Sequence, residues 1–222
     1  MAARRILLVA FGPFPGVPVN PSAALARQLA RTRRPAWADL RLDLEILPTR
    51  WSALTRLSQR IAATRPDGVL LLGVAARRRA LCIETRAVNA ARRADAAHCP
   101  PPSARLVPGG PAALGTTVAV PRLVAAARTR FAPVRASRDA GRYLCNASYY
   151  RALAEAGAVP VVFVHVPGSR PQAGGRIDPR LAPALGALLR AFAAQVRGPG
   201  AHRRARGAPA ASINCRATAS PC

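Results

Sequence analysis

PDGVLLLG, residues 66–73, gives the clearest indication of the fold in this sequence. Turn-forming residues open the segment, and the apolar run that follows shows no alternation, which is typical of a strand buried on both faces of a sheet. A helix is predicted before the turn, over 52–64, and an alternating, half-exposed strand before that helix, over 40–47. Strand, helix and strand in this order favour a parallel sheet.

Strands and helices continue to alternate on both sides of this segment. Asn20 and Pro21 are residue types preferred at a helix N-cap and at the first helical position. Strands are predicted at 6–11, 82–89 and 159–166, and helices at 21–34, 121–129, 179–196 and directly after Cys145. We therefore expect an α/β fold, a three-layer sandwich with a mostly parallel, twisted sheet flanked by helices.

The chain of 222 residues is long enough for one hydrophobic core. We predict a single α/β domain over 1–197, with an irregular segment at 91–114 that contains Pro-Pro-Pro and Pro-Gly-Gly-Pro. From residue 198 onward the sequence is basic and has little apolar periodicity. Residues 198–222 are therefore predicted to form a disordered basic tail.

The formal net charge is +25, and every basic residue is arginine. The chain is also rich in alanine and proline, so the charge reflects a composition bias as much as a selected surface. Aromatic residues make up only 5% of the chain, which leaves few stacking platforms for single strands. We expect only nonspecific nucleic-acid binding at low salt. An arginine-rich nucleic-acid-binding protein stays as an alternative because Arg203–Arg206 form an RRAR run.

Several other classes of protein and site are disfavoured. No apolar run approaches the roughly 20 residues of a membrane helix, so no membrane partner is expected. The opening MAARRILLVAFGPFPG resembles a signal peptide, but its apolar run breaks at Gly12-Pro13 and no small-residue cleavage site follows. We therefore expect a cytoplasmic protein. The 5 cysteines lack CxxC pairs, and His98-Cys99 lacks partners at ligand spacing, so no disulfide framework, metal or cofactor is predicted.

Three chemically capable residues lie at predicted element ends or in apolar surroundings, and strand ends are where an α/β sheet collects functional groups. Cys145 opens a helix, His165 lies near the end of a strand, and Glu84 lies within the apolar stretch LCIETRAVN. A cysteine hydrolase needs a thiol, an imidazole that moves its proton, and a group that orients the imidazole. From the residues alone, alternatives stay open: a buried thiol, a structural histidine, and a glutamate that faces solvent or pairs with an arginine.

Separate segments match one known family in the same order along the chain. They are ILLVAFGPFPGVPVNPSAAL at 6–25, GVAARRRALCIETRAVN at 73–89, GGPAAL at 109–114, DAGRYLCNASYY at 139–150 and VVFVHVPGSRPQ at 161–172. The first resembles a strand followed by G-F-x-P-F-G-G and N-P-S. The last two resemble an A-G-x-x-x-C-N block and an F-x-H-x-P…Q block. On these motifs, about residues 4 to 196 resemble the pyroglutamyl-peptidase I family, the pyrrolidone-carboxyl peptidases.

The resemblance implies a cysteine peptidase that removes N-terminal pyroglutamate from peptides without a cofactor. It implies Cys145 as nucleophile, His165 as base and Glu84 as the carboxylate that orients the base. An apolar slot with a few polar groups suits the small, uncharged pyroglutamyl ring. The residues expected to bind substrate are Phe11, Phe14, Asn20, Thr49, Arg93, Tyr143 and Leu144. The resemblance also implies peptide substrates as partners and a homo-oligomer, either a dimer or a tetramer.

The chain departs from the family pattern in loops expected near the active site. Val74 stands where the family has glutamine, Ala76-Arg77 replaces a glycine pair, and Pro15 replaces the first glycine of the opening pair. Substrate preference and catalytic efficiency are the properties that these changes affect. A catalytically impaired family member that binds peptide termini is therefore a further alternative.

Overall fold

The computed structural model describes residues 3–32, 35–128, 132–168 and 178–196. The predicted basic tail at 198–222 and residues 169–172 of the last matching segment lie outside the described residues. The helices and strands are β1 (Arg4–Phe11), α1 (Pro21–Arg31), β2 (Leu40–Leu47), α2 (Ala53–Thr64), β3 (Gly68–Ala75), β4 (Leu81–Glu84), β5 (Arg86–Val88), β6 (Ala113–Gly115), α3 (Val120–Ala127), β7 (Val134–Ser137), α4 (Leu144–Glu155), β8 (Val161–Pro167) and α5 (Leu181–Val196).

The central sheet has the strand order β2-β1-β3-β8-β4-β7. Its neighbouring strands are parallel except for β4 and β8, which pair antiparallel. β5 and β6 form a separate antiparallel pair. The predicted mostly parallel sheet is confirmed, and its one antiparallel pairing joins the two strands that carry Glu84 and His165.

Helices cover both faces of this sheet. Leu70 and Val164 lie in one apolar cluster with residues of α1, α3 and α5, whereas Leu71 and Phe163 lie in the other with residues of α2 and α4. Successive side chains of β3 thus enter opposite layers, and both layers bury them. This explains why the GVLLLG run contains no polar residue, and it confirms the predicted three-layer α/β sandwich.

The first helix begins as predicted and ends earlier than predicted. Asn20 is its N-cap, accepting a hydrogen bond from the backbone N–H of Ser22, and proline opens the first turn. The helix ends at Arg31 rather than near residue 34, because Thr32 adopts extended backbone and its hydroxyl bonds the carbonyl of Gln28.

The predicted strand at 82–89 is interrupted. It forms β4 and β5, which are separated at Thr85, where both the N–H and the hydroxyl donate to the carbonyl of Ser137. The sequence pattern did not indicate β6 or β7. Both strands are three or four residues long, which is too short for a period-2 pattern to be recognised.

Candidate active site

The site is built where β3, β8 and β4 lie side by side beneath the start of α4. His165 on β8 is in register with Gly73 of β3 and with Cys82 of β4. Registered neighbours in a sheet point to the same face, so the imidazole of His165 lies between Gly73 on one side and the side chain of Cys82 on the other. Its ring packs against Phe163, with ring centroids 4.8 Å apart.

Cys145 lies in the first turn of α4, one residue after the helix begins. Its thiol is half-buried and lies directly over Gly73, where a Cβ atom would approach Sγ to 2.9 Å. The first N–H groups of a helix have no partner within the helix, and the positive end of the helix dipole favours negative charge there. A thiolate formed at this position would therefore be stabilised by the helix.

His165 connects the thiol to a buried carboxylate. Its Nδ1 lies 2.8 Å from Oε1 of Glu84, and the side chains are 5% and 0% exposed. Burial by itself lowers the pKa of His165, but hydrogen bonding and Coulombic attraction to Cys145 and Glu84 raise that pKa to about 9. The imidazole of His165 therefore keeps its second proton, and its positive charge, up to about pH 9.

Glu84 is ionised in spite of its burial. Desolvation raises its pKa, but the hydrogen bond from His165, the nearby Ser137 hydroxyl and the charges of His165 and Arg78 lower the pKa below its ordinary value. Because the carboxylate is ionised, Nδ1 of His165 is the donor in their hydrogen bond. The alternative in which Glu84 faces solvent is wrong, since the side chain is fully buried. The alternative in which it pairs with an arginine is confirmed, with Arg78.

Two residues of this region have positions that sequence reasoning missed. Arg78, in the turn between β3 and β4, donates to Oε1 of Glu84 over 2.6 Å. Asn146, next to the thiol, is buried and binds the backbone of β5, accepting from the N–H of Val88 and donating to its carbonyl and that of Ala90. The signal that could have found Arg78 is its place directly after Ala76-Arg77, where the resembling family pattern has an arginine.

Two of the predicted substrate-binding residues meet at one carbonyl. The side-chain amide of Asn20 and the hydroxyl of Thr49 both donate to the carbonyl oxygen of Gly12, over 2.8 and 3.2 Å. Phe11, at the end of β1, is 4% exposed. These contacts fasten the loop after β1 to the loop after β2 at the carboxyl-end edge of the sheet.

Tyr143, the N-cap residue of α4, is half-buried and lies edge-to-face against Trp51 with ring centroids 5.9 Å apart. Trp51 is held in turn by Asp95, whose buried carboxylate accepts from the Trp51 backbone N–H over 2.9 Å. Burial raises the pKa of the Tyr143 hydroxyl, and the nearby Asp95 and Cys145 add to this rise. Trp51 is a further residue of this region that sequence reasoning missed.

The remaining predicted residues lie in different surroundings. Leu144 is 1% exposed and belongs to the apolar core beneath α4, so it supports the start of the helix. Phe14 is half-buried in a tight turn with Val17. Arg93 is exposed with φ of 80°, and the adjacent Arg92 N–H donates to the carbonyl of Arg142. Arg93 is thereby placed on the loop beside the residues that precede α4.

The described residues give no sign of a metal centre or a membrane segment. Nowhere within them do three or more His, Cys, Asp or Glu side chains group as metal ligands would. None of the helices in the described ranges combines the length and apolar composition that crossing a membrane requires.

Comparison with known proteins gives one consistent result. A sequence model of the family described as pyroglutamyl peptidase matches residues 4–190. The pyrrolidone-carboxylate peptidase of Chromobacterium violaceum is 35% identical over 167 residues, which cover 74% of this chain and 78% of that protein. The enzyme of the same name from Clavibacter michiganensis is 33% identical over 198 residues, covering 84% of this chain and 91% of that protein.

Solved structures agree with the sequence matches. The pyrrolidone carboxyl peptidase of Thermus thermophilus superposes with a TM-score of 0.72 at 32% identity, covering 83% of this chain and 98% of that chain. The pyroglutamyl peptidase I of Bacillus amyloliquefaciens superposes with a TM-score of 0.74 at 26% identity, covering 87% and 98%.

Proposed function

The chain belongs to the pyroglutamyl peptidase family and is a cysteine-type hydrolase with that activity, and from this membership we propose that Cys145, His165 and Glu84 are its catalytic residues. The observation that carries the proposal is the position of His165. Its Nδ1 bonds the buried carboxylate of Glu84 over 2.8 Å, and both Glu84 and Cys145 raise its pKa. A histidine that couples a half-buried thiol to a buried carboxylate is the arrangement that nucleophilic acyl transfer requires.

In the proposed reaction the second ring nitrogen of His165 holds the proton taken from the Cys145 thiol, so the two groups react as imidazolium and thiolate. The thiolate attacks the pyroglutamyl carbonyl carbon, and the N–H groups at the start of α4 stabilise the oxyanion. The C–N bond breaks as His165 returns the proton to the leaving amine of the peptide. Water, deprotonated by His165, then hydrolyses the thioester, which releases pyroglutamic acid and restores the thiol.

The substrate slot is proposed beside Tyr143 and Phe14, two half-buried rings close to the helix start and the loop after β1. A small lactam ring without charge needs apolar walls and a few polar contacts. Asn20 and Thr49 serve the slot by fixing the loop at the Gly12 carbonyl. Arg93 is proposed at the rim, and the buried Phe11 and Leu144 are proposed to support the slot from beneath.

The substitution at Val74 leaves the proposed triad unchanged. Gly73 lies under Cys145, whereas the next residue along a strand points to the opposite face, and Val74 packs against the cluster on the α1 and α5 side. The change from glutamine therefore removes no side chain from the face that carries Cys145 and His165. This favours an active peptidase over an impaired family member.

The arginines do not gather on one face of the described residues. Exposed arginines occur on helices of both layers, among them Arg27 on α1, Arg56 on α2, Arg122 on α3 and Arg190 on α5. A nucleic-acid-binding protein concentrates positive charge on one patch or stripe. We therefore propose nonspecific nucleic-acid binding only, which weakens steeply with salt.

We also propose that a single catalytic domain spans 1–197, that the enzyme acts on cytoplasmic peptides, and that it works as a dimer or a tetramer. Truncation after residue 197 is expected to leave peptidase activity intact and to weaken nucleic-acid binding at low salt.

Analytical ultracentrifugation of the full chain measures the oligomeric state, and a monomer with full activity would contradict the proposed dimer or tetramer.

The function is tested with a fluorogenic pyroglutamyl amide and the purified protein in the presence of reductant. We expect the wild type and Cys99→Ser to release the fluorophore and Cys145→Ser to release none. Cys99 is the matched control because it is a half-buried thiol on a loop, outside the proposed triad. Undiminished release by Cys145→Ser would overturn the assignment of the nucleophile.

A further inference from the structure

Arg78 lies in the turn between β3 and β4 and contacts Glu84 of the proposed triad. Its Nη1 donates to Oε1 of Glu84 over 2.6 Å and to the hydroxyl of Ser137 over 3.2 Å, while Nη2 donates to the carbonyl of Asp139. Its side chain is only 23% exposed. The guanidinium is therefore fixed by partners on β4 and at the end of β7.

Oε1 of Glu84 is shared between two donors. It accepts from Arg78 and from Nδ1 of His165 at the same time. Because Arg78 is itself held by Ser137 and Asp139, its single hydrogen bond to Oε1 fixes the place of that oxygen. The direction of Oε1 in turn sets the tautomer and the orientation of His165.

The charges of the site balance only when Arg78 is counted. In the reactive form Cys145 carries a negative charge, His165 a positive charge and Glu84 a negative charge. Glu84 is fully buried, and a buried charge is costly unless it is paired. Arg78 supplies the second positive charge, so the four groups together are neutral.

We propose that Arg78 is a positioning residue of the peptidase, which keeps Glu84 ionised and aims its Oε1 at Nδ1 of His165. The proposal rests on the proposed catalytic roles of Cys145, His165 and Glu84. It adds a fourth charged group on which those roles depend.

Other titratable groups also face this cluster. From α4, Tyr149 donates its hydroxyl to the backbone carbonyl of Glu84, and burial raises the pKa of that hydroxyl. From β4, Cys82 lies in register with His165, and from β7, Arg135 donates to the sulfur of Cys82 over 3.4 Å. Among the described residues, none of these three side chains bonds the side-chain carboxylate of Glu84, and Arg78 is the arginine that does.

Removal of the Arg78 charge has a defined consequence for the pH profile. Loss of a nearby positive charge disfavours every negative form and favours every protonated form. The pKa values of both Glu84 and His165 therefore rise, and the acidic and basic limbs of kcat/KM both move to higher pH. A purely structural loss lowers the height of the profile without moving its limbs.

The test compares Arg78→Gln and Arg78→Lys with the matched controls Arg77→Gln and Arg79→Gln, two exposed arginines of the same turn. We expect Arg78→Gln to lower kcat/KM at neutral pH by about ten- to a hundredfold, the usual size of losing a partner that orients a site residue. The loss is expected in kcat, with both limbs displaced upward. Arg78→Lys is expected to restore the limbs and part of the rate, and the controls to match the wild type.

A second readout does not depend on turnover. The rate at which iodoacetamide alkylates Cys145, followed by mass spectrometry of its peptide, reports the pH at which the thiolate forms. We expect Arg78→Gln to move this midpoint upward. If Arg78→Gln does not fold, Arg78→Lys decides, because Lys keeps the charge but lacks the fixed fork of donors: a kcat below that of the wild type supports the proposal, and a kcat equal to that of the wild type overturns it.

An unchanged rate and unchanged limbs in folded Arg78→Gln would also overturn the role of Arg78, while the activity of the wild type would stand. A wild type that releases no fluorophore would instead overturn the proposed function itself.

Discussion

Oε1 of Glu84 accepts a hydrogen bond from Nδ1 of His165 over 2.8 Å, although the two residues lie 81 positions apart in the sequence. The contact exists because β4 and β8 are adjacent and antiparallel, with Glu84 opposite Phe163 and Cys82 opposite His165. It joins a buried acid to the imidazole whose pKa Cys145 also raises.

Glu84→Gln keeps the shape of the side chain and removes its charge. The amide no longer enforces the tautomer of His165 or stabilises the imidazolium, so we expect kcat to fall by about a hundred- to ten thousandfold. Steady-state kinetics on a pyroglutamyl amide measure the effect. Glu155→Gln is the control, a half-buried glutamate on the same side of the sheet that bonds Ser58 and Arg151, and it should retain full kcat.

The raised pKa of His165 predicts a basic limit to activity and stability. Its folded-state pKa of about 9 lies above the ordinary value of 6.5. The imidazolium therefore contributes stability that is fully present below pH 6.5 and is lost as pH rises through about 9. We expect kcat/KM and the thermal midpoint to fall together over that window. An activity that stays constant through this range would contradict the charged form of His165.

Gly73→Ala is expected to inactivate the enzyme although it replaces no residue of the proposed triad. A Cβ at position 73 would lie 2.9 Å from Sγ of Cys145 and 2.6 Å from the ring of Phe163. Overpacking of this kind costs about 1–3 kcal/mol, and relief requires the thiol or the ring to move. Activity and urea unfolding together measure it. Gly115→Ala, where the nearest atom would be 3.8 Å away, should behave like the wild type.

Asn146→Ala is expected to destabilise the fold. The buried amide serves three backbone groups of β5 and the residues after it, and each buried group left without a partner costs about 1–3 kcal/mol. Urea unfolding should show the loss in the midpoint. Its exposed counterpart Gln28→Ala on α1 should leave the midpoint almost unchanged, and an equal effect of both variants would refute the anchoring role.

Asp95→Ala is expected to act on substrate binding more than on chemistry. Its carboxylate accepts from the backbone N–H groups of Trp51, Ala97 and Cys99, and Trp51 supports Tyr143. Loss of these bonds loosens the proposed slot, so KM should rise while kcat changes little. Asp178→Ala, which removes a solvent-exposed ion pair, is the control. A fall in kcat at unchanged KM would place Asp95 in the chemical step instead.

Local patterns were sufficient for most of the elements. The unbroken run of β3 predicted a strand covered on both faces, and Asn20 with Pro21 predicted the start of α1. Both signals can be seen in a few consecutive residues. A strand buried on both faces has no polar residues, and a helix start has a side-chain acceptor at its N-cap. Strands as short as β7 carry too few residues for such a signal.

The sequence by itself determined the α/β order of elements and, through its motifs, singled out Cys145, His165 and Glu84 as the residues proposed to be catalytic. Only the tertiary structure decided that Glu84 is buried against His165, that Arg78 rather than Arg77 or Arg79 turns inward, and that Leu144 faces the core. The reason is physical: periodicity and capping are set by residues a few positions apart. Partners on β4, β7 and β8 come together only when the order of strands in the sheet is established.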